Sequence, residues 1–173
     1  MKIKKAVQLG IPYDKRTKLE VLQDLNKVDV KIYPNIPPSL LLRKSSTQDG
    51  LSVNDNKIFP LGGIANKVSI GANENGYWMK YKSDKFGFNN PNDVYQNMKI
   101  DIVMIGDSYT EGYAVKNNET IAAVLKEFNF SVVNIGKAGN GPLLEFATLN
   151  EYAKPLKPKI LLCCIVAIIV FLF

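Results

Sequence analysis

Gly106-Asp107-Ser108 is the part of this 173-residue chain whose residue types could carry out covalent chemistry. The triplet directly follows the apolar residues 102–105, so Ser108 would stand where a strand ends. A serine at such a position can attack a carbonyl carbon when a neighbouring base accepts its proton, and histidine is the usual base. The chain contains no histidine. The sequence therefore offers a candidate nucleophile without its customary partner.

A second loop with unusual residues spans residues 134–141 and reads NIGKAGNG. Glycines let a backbone N–H approach a ligand closely because no Cβ intervenes, and such amides can stabilise the oxyanion of an acyl-transfer intermediate. If the strands before the two loops are neighbours, Ser108 and the Gly139 amide can face each other across a cleft. Taken as a phosphate cradle, the glycines match neither the dinucleotide spacing nor the P-loop spacing.

The elements that would position these loops alternate between strand and helix after residue 99. Apolar strands separated by helices of this length indicate right-handed crossovers and a parallel sheet. We therefore predict an α/β domain over residues 100–173 and an irregular N-terminal extension over residues 1–99. The predicted order is strand 100–105, helix 120–128, strand 131–135, helix 142–153 and a third apolar strand from residue 159.

The N-terminal extension contains one clear helix signal. Thr17 and Glu20 have the spacing of a capping box, and leucines at positions 19, 22 and 25 recur on one helical face, which predicts a helix over residues 17–27. Residues 33–60 are rich in proline and polar residues and are predicted to be an irregular connection. The leucines at 40–42 are expected to pack against another element.

Residues 68–90 predict a β-hairpin, because Asn75-Gly76 is a two-residue turn signal between a Val/Ile stretch and an aromatic one. The aromatic residues could form a sugar-stacking surface, but packing is the favoured interpretation. They are Tyr77, Trp78, Tyr81, Phe86 and Phe88.

Composition restricts the partners. The net charge of +6 comes from scattered lysines, which favours a solvated surface over a nucleic-acid interface. The two cysteines, Cys163 and Cys164, are adjacent, so they supply neither a disulfide framework nor a metal site, and no cofactor is indicated. No signal peptide is recognisable at the N-terminus, so we expect a cytoplasmic or membrane-associated chain.

Three segments together resemble the SGNH (GDSL-like) hydrolase superfamily, especially bacterial members associated with polysaccharide or cell-surface modification. The segments are YKSDKFGFNNP, IVMIGDSYTEGYAV and VVNIGKAGNGP. The resemblance implies a three-layer, flavodoxin-like α/β/α fold, a Ser108 nucleophile and oxyanion donors from the Ser108 and Gly139 amides. Asp107 would be a structural neighbour of the serine, and Gly106, Asn134 and Gly136 would support the two loops.

The resemblance stops after the third predicted strand. In the family, a Gly-x-Asn-Asp block and a late Asp-x-x-His block follow, whereas residues 160–173 here are uninterrupted apolar residues. We expect a truncated ester hydrolase of O-acylated glycans that is inactive in this form, or alternatively a non-catalytic glycan-binding or membrane-associated domain. The apolar tail is expected to begin as a buried strand, with a short membrane anchor as the alternative.

Overall fold

The computed structural model describes residues 2–27, 31–41, 50–96 and 99–164. The strands are β1 (Ile32–Pro34), β2 (Leu51–Val53), β3 (Asn56–Ile58), β4 (Val68–Ile70), β5 (Lys80–Lys82), β6 (Ile102–Gly106), β7 (Val132–Asn134) and β8 (Ile160–Cys164). The α-helices are α1 (Lys2–Gln8), α2 (Lys18–Asn26), α3 (Ser108–Glu111), α4 (Ile121–Glu127) and α5 (Pro142–Thr148). Helix α5 continues through the π-helical Leu149–Ala153 into the turn Lys154–Leu156, and short 3-10 helices occupy Pro38–Leu41, Asn92–Gln96 and Asn117–Glu119.

The sheet that carries both candidate loops has the order β7-β6-β8 and is parallel throughout. Met104 lies opposite Asn134, and Gly106 lies opposite Cys164. The predicted alternation of strands and helices is therefore confirmed, and the chain is a mixed α/β protein with a partly parallel sheet. Since β6 and β7 are parallel neighbours, the loops that follow them emerge at the same edge of the sheet.

Helices cover both faces of this sheet because side chains alternate along each strand. One set of strand residues, which includes Val103 and Val133, packs with Leu149 and Tyr152 from the helical segment that follows β7. The alternate residues Ile102, Met104 and Val132 pack with Ala122 and Leu125 of α4. Every residue of β6 is buried, which makes it the rigid centre of the domain.

A second, smaller sheet has the order β1-β4-β5. Strands β4 and β5 are antiparallel, which confirms the predicted hairpin, but the first registered pair beside the loop is Ile70 with Lys80. The connection is therefore much longer than the two residues that Asn75-Gly76 predicts. Tyr81 and Phe88 are buried, which supports the packing interpretation of the aromatic residues over a stacking surface.

Helix α2 confirms the capping-box prediction. The Thr17 side chain accepts from the Glu20 amide, and Glu20 accepts from the Thr17 amide at 2.6 Å. The predicted apolar face is partly wrong, because Leu19 is exposed while Val21 is buried against Ile32 and Ile70. The helix is anchored on the smaller sheet through Val21 rather than through its first leucine.

The expectation of an irregular connection over residues 33–60 is wrong in part. Strand β1 pairs in parallel with β4, and β2 pairs with β3 as a hairpin whose turn residues, Asn54 and Asp55, both have positive φ. Asparagine and aspartate tolerate such a turn, so two polar residues between Leu51–Val53 and Asn56–Ile58 are a hairpin signal that proline content obscured. Leu40 is exposed, contrary to the expected packing, and Leu42 lies outside the described residues.

The third apolar strand is confirmed as β8, but its expected burial is wrong. Ile160 and Leu161 are exposed, whereas the paired residues of β6 are buried. Residues 165–173, on which the membrane-anchor alternative depends, lie outside the described residues. Within the parts of the chain that are described, no helix has the length and apolar character needed to cross a bilayer.

Candidate functional site

Ser108 is the first residue of α3, directly after β6 and one residue of turn. Gly106 has a φ of +152°, and a Cβ at this position would lie 2.6 Å from the Cys164 carbonyl oxygen and closer still to the Thr110 hydroxyl. Only glycine therefore fits the bend that presents Ser108. The Asp107 carboxylate accepts from the Tyr109 amide at 3.0 Å, so this side chain caps the N-terminus of α3.

The Ser108 side chain borders a cleft of about 310 Å³, whose rim includes Glu74, Asn75, Tyr109 and Tyr113. Within the described residues, the Ser108 hydroxyl makes no hydrogen bond with any other group, and its backbone amide donates none. Ser108 thus presents both a hydroxyl and an N–H that are free to meet a ligand.

The glycine-rich loop after β7 lies directly against α3. A Cβ on Gly136 would meet the Thr110 side chain, with its Cγ2 2.5 Å away, and would lie 3.0 Å from the Glu111 amide nitrogen. The Lys137 amide donates to the Gly106 carbonyl at 3.0 Å, which ties this loop to the bend before Ser108. The missing Cβ at Gly136 is what allows the two loops to touch.

Gly139 sits at the tip of the same loop with a φ of +77°. Its amide donates to no acceptor among the described residues, so it is available as an oxyanion donor. A Cβ on Gly139 would lie 2.9 Å from the Ser39 hydroxyl and 3.1 Å from Pro37. Residues of the N-terminal half of the chain therefore pack against the loop that carries Gly139.

A buried ion pair, which the sequence analysis missed, joins α3 to the glycine-rich loop. Lys137 Nζ lies 2.6 Å from Glu111 Oε1, and both side chains are completely inaccessible to solvent. Lys137 also donates to Tyr81 at 2.8 Å and to the Asn35 side-chain oxygen. The Ala138 amide donates to Glu111 Oε2 at 2.7 Å. We call Asn35, Tyr81, Glu111 and Lys137 the Lys137 cluster.

Every polar side-chain atom of the Lys137 cluster has a partner. The three ammonium hydrogens of Lys137 match three acceptors, and Glu111 Oε1 also accepts from the Asn35 amide at 2.7 Å and from Tyr81 at 2.8 Å. Burial, followed by the Glu111 charge, raises the pKa of Tyr81 well above its ordinary value, so its hydroxyl keeps its proton. A charge buried this deeply is tolerable only with such complete pairing.

A second buried network holds the other side of the two loops. The Asn134 side chain donates to the Thr110 carbonyl and accepts from the Gly136 amide, so it clamps α3 and the glycine-rich loop together. Asn90 pairs with the Asn134 backbone in both directions and donates to Asp84 at 2.9 Å. Asp84 also accepts from Tyr95 at 2.7 Å, and burial, followed by this hydrogen bond, raises the pKa of Tyr95.

The Glu145 carboxylate of α5 interacts electrostatically with Asp107, the residue before Ser108. Partial burial, followed by the Asp107 charge, raises the pKa of Glu145 above its ordinary value. Among the described residues, no three acidic or thiol side chains converge as they would in a metal site.

Of the predicted site residues, Gly106, Asn134 and Gly136 make the contacts that bring the two loops together. Gly106 contacts Lys137 across the loops, and Asn134 and Gly136 contact Thr110. Asp107 and Ser108 continue the first loop into α3, and Gly139 continues the second loop, where it lies against Pro37 and Ser39.

Sequence reasoning missed Glu111 and Lys137, although Glu111 is only three residues after Ser108 and Lys137 is the one charged residue of the glycine-rich segment 134–141. Tyr81 was predicted to pack as part of an aromatic stretch, but no local pattern linked Tyr81 or Asn35 to the two loops, because both lie far from them in sequence.

Comparison of the chain with protein-family models, with curated proteins and with solved structures gave no match. The function must therefore be argued from the geometry of the two loops.

Proposed function

We propose that the chain carries a serine-dependent acyl-ester site of the SGNH hydrolase type, on a three-layer α/β/α scaffold. In this proposal Ser108 is the nucleophile, and the Ser108 and Gly139 amides stabilise the oxyanion. The observation that carries the proposal is that one hydroxyl and two amides without a partner among the described residues lie on adjoining loops at one edge of a parallel sheet. Helices on both faces of the sheet support the layered arrangement.

The proposed substrate is an acyl ester, and an O-acyl group on a glycan suits the cleft best. The cleft is open to solvent, and its volume of about 310 Å³ suits a short acyl group. Its rim combines the polar residues Glu74 and Asn75 with Tyr109 and Tyr113. Amide and carboxylate groups can hydrogen-bond sugar hydroxyls, while aromatic rings can pack against sugar rings.

The base is the missing part of this proposal. None of the 173 residues is a histidine, and the Asp107 carboxylate is engaged with the Tyr109 amide. Glu145 has a raised pKa, which suits a weak general base, but no hydrogen bond joins it to Ser108 within the described residues. We therefore expect slow acylation of Ser108 by this chain alone, and faster turnover when a second polypeptide supplies a base.

A strongly electrophilic phosphonate ester tests the nucleophile because its reaction with a serine needs less help from a base. Intact-protein mass spectrometry should show one adduct on the wild type and none on Ser108→Ala. Ser52→Ala is the matched control because Ser52 is an exposed serine on β2, away from the cleft. Equal labelling of wild type and Ser108→Ala would remove Ser108 from the proposal.

The second candidate is recognition of an O-acylated glycan without turnover, favoured by the absence of histidine from the chain. Under this alternative, Ser108→Ala should bind an acetylated oligosaccharide as tightly as the wild type does, and neither protein should release acetate. Titration calorimetry with acetylated and deacetylated oligosaccharides, combined with an acetate assay, separates the two candidates.

A further inference from the structure

We propose that Glu111 and Lys137 are positioning residues for the Gly139 amide, and that residues of the N-terminal half complete this positioning device. The inference rests on the proposed function, since it explains how the oxyanion loop is held in place relative to Ser108.

The argument begins with the Ala138 amide. Ala138 immediately precedes Gly139, and its N–H donates to Glu111 Oε2 at 2.7 Å. Glu111 is three residues after Ser108 on the same short helix. One carboxylate therefore links the helix that begins with the nucleophile to the peptide next to the proposed oxyanion donor.

Lys137 holds that carboxylate in place. Its ammonium contacts Glu111 Oε1 at 2.6 Å, and its own backbone amide donates to the Gly106 carbonyl at 3.0 Å. The loop is thus fixed at three successive residues: Gly136 by Asn134, Lys137 by Gly106 and Ala138 by Glu111. Gly139 is the next residue, and its N–H is left without an acceptor among the described residues.

Residues 35–39 of the N-terminal half contact the buried ion pair and the glycine-rich loop from the other side. Asn35 contacts both charges of the pair, and its backbone amide donates to Ile70 of β4 at 2.9 Å. Pro37 and Ser39, which follow it, lie against Gly139. Residues 35–39 therefore run from the buried pair to the oxyanion loop, which makes them part of the site wall.

Two double variants separate positioning from stability. Glu111→Leu with Lys137→Met removes both charges together with the acceptor for the Ala138 amide. Glu111→Gln with Lys137→Met also removes both charges, but the glutamine oxygen can still accept from that amide. Neither variant leaves an isolated buried charge, so both are better suited to folding than either single substitution.

The rate of Ser108 labelling by the phosphonate is the first readout. We expect a loss of about 100-fold in the leucine variant, because a displacement of about 1 Å in a catalytic group has that effect. The glutamine variant should stay close to the wild type. Thr148→Val is the control, because it removes a hydroxyl on a buried residue whose partner is the Leu144 carbonyl, one turn earlier in α5 and outside both loops and the Lys137 cluster. Equal rates in the two double variants would overturn the proposal.

Amide hydrogen exchange followed by NMR is the second readout and requires no activity. In the wild type, the Ala138 amide should exchange slowly and the Gly139 amide rapidly, and rapid exchange at Ala138 would overturn the proposal even if no variant folds. In the leucine variant, exchange at Ala138 should rise by about 100-fold while Met104 in β6 is unchanged. If the wild type is not labelled at Ser108, the proposed function fails, while the exchange data still decide whether the pair holds the loop.

Discussion

Gly136→Ala is the sharpest test of the packing between the two loops. A methyl group at this position would lie 2.5 Å from Thr110 Cγ2 and 3.0 Å from the Glu111 amide nitrogen. Carbon atoms normally pack about 3.5 to 4.0 Å apart, so the new methyl overlaps the buried Thr110 side chain by about 1 Å. Because Thr110 is on α3 between Ser108 and Glu111, relief of this overlap must move the nucleophile or the glycine-rich loop.

We expect Gly136→Ala to lower the free energy of unfolding by about 2 kcal/mol, as overpacking of a well-packed interior does. For a chain of this length, that loss corresponds to a decrease in Tm of about 4 to 8 °C. Gly141→Ala is the matched control, since a Cβ at Gly141 meets no atom within 4 Å. Urea unfolding and thermal melts of the two variants and the wild type measure the difference.

A double variant sharpens the interpretation. Thr110→Ala removes Cγ2 and the hydroxyl but keeps the Cβ, which is the atom nearest to the added methyl. Combined with Gly136→Ala, it should therefore recover only part of the lost stability, and a double-mutant cycle isolates that part. If Gly136→Ala and Gly141→Ala unfold at the same urea concentration, the close approach of the two loops is refuted.

Two further predictions concern the periphery. The hydrogen bond from Lys159, followed by the one from the Ser131 amide, lowers the pKa of Asp101. The ionised carboxylate therefore stabilises the fold at pH values above its ordinary pKa of 3.8, and this stabilisation is lost as the pH falls through the lowered pKa. Asp101→Asn should therefore lower Tm at pH 7, with a difference that shrinks towards pH 3; an unchanged difference would contradict the ion pair. Thr17→Ala should cost about 1 kcal/mol by urea unfolding, whereas Thr17→Ser should cost much less because it keeps the cap of α2.

The strands and loops of the parallel sheet were predictable because their signals are local. Apolar runs of strand length, a helical segment over residues 120–128 and glycine-rich connections are all recognisable from residues close in sequence. The position of Ser108 after β6 required no more than the end of an apolar run. The parallel orientation of β6 and β7 followed from the helix between them, whereas their direct pairing was a condition of the prediction that only the structure supplies.

The Lys137 cluster was not predictable because it is assembled from four separate segments. Asn35 and Glu111 are 76 residues apart, and Asn35 and Lys137 are 102 residues apart. A lysine between glycine and alanine normally indicates an exposed loop, and only the tertiary fold buries it. The short strands β1 to β3 were missed for a different reason, since the proline-rich and polar composition of residues 33–60 favoured an irregular connection.

The distribution of unpaired polar groups argues for a ligand at the two loops. Buried polar groups in folded proteins almost always have partners, and the charges of Glu111, Lys137 and Asp84 obey this rule. Asn140, directly after Gly139, is different, because its buried side-chain nitrogen and oxygen have no partner among the described residues. The Ser108 hydroxyl, the Gly139 amide and the Asn140 side chain therefore lack hydrogen-bond partners among the described residues, and all three lie on the two loops. The buried networks beside these loops are paired. A bound acyl ester offers oxygens that could pair with some of these groups on the loops, so chemical-shift changes confined to residues 106–112 and 136–141 upon titration with an acetylated sugar are the expected signature of a ligand there.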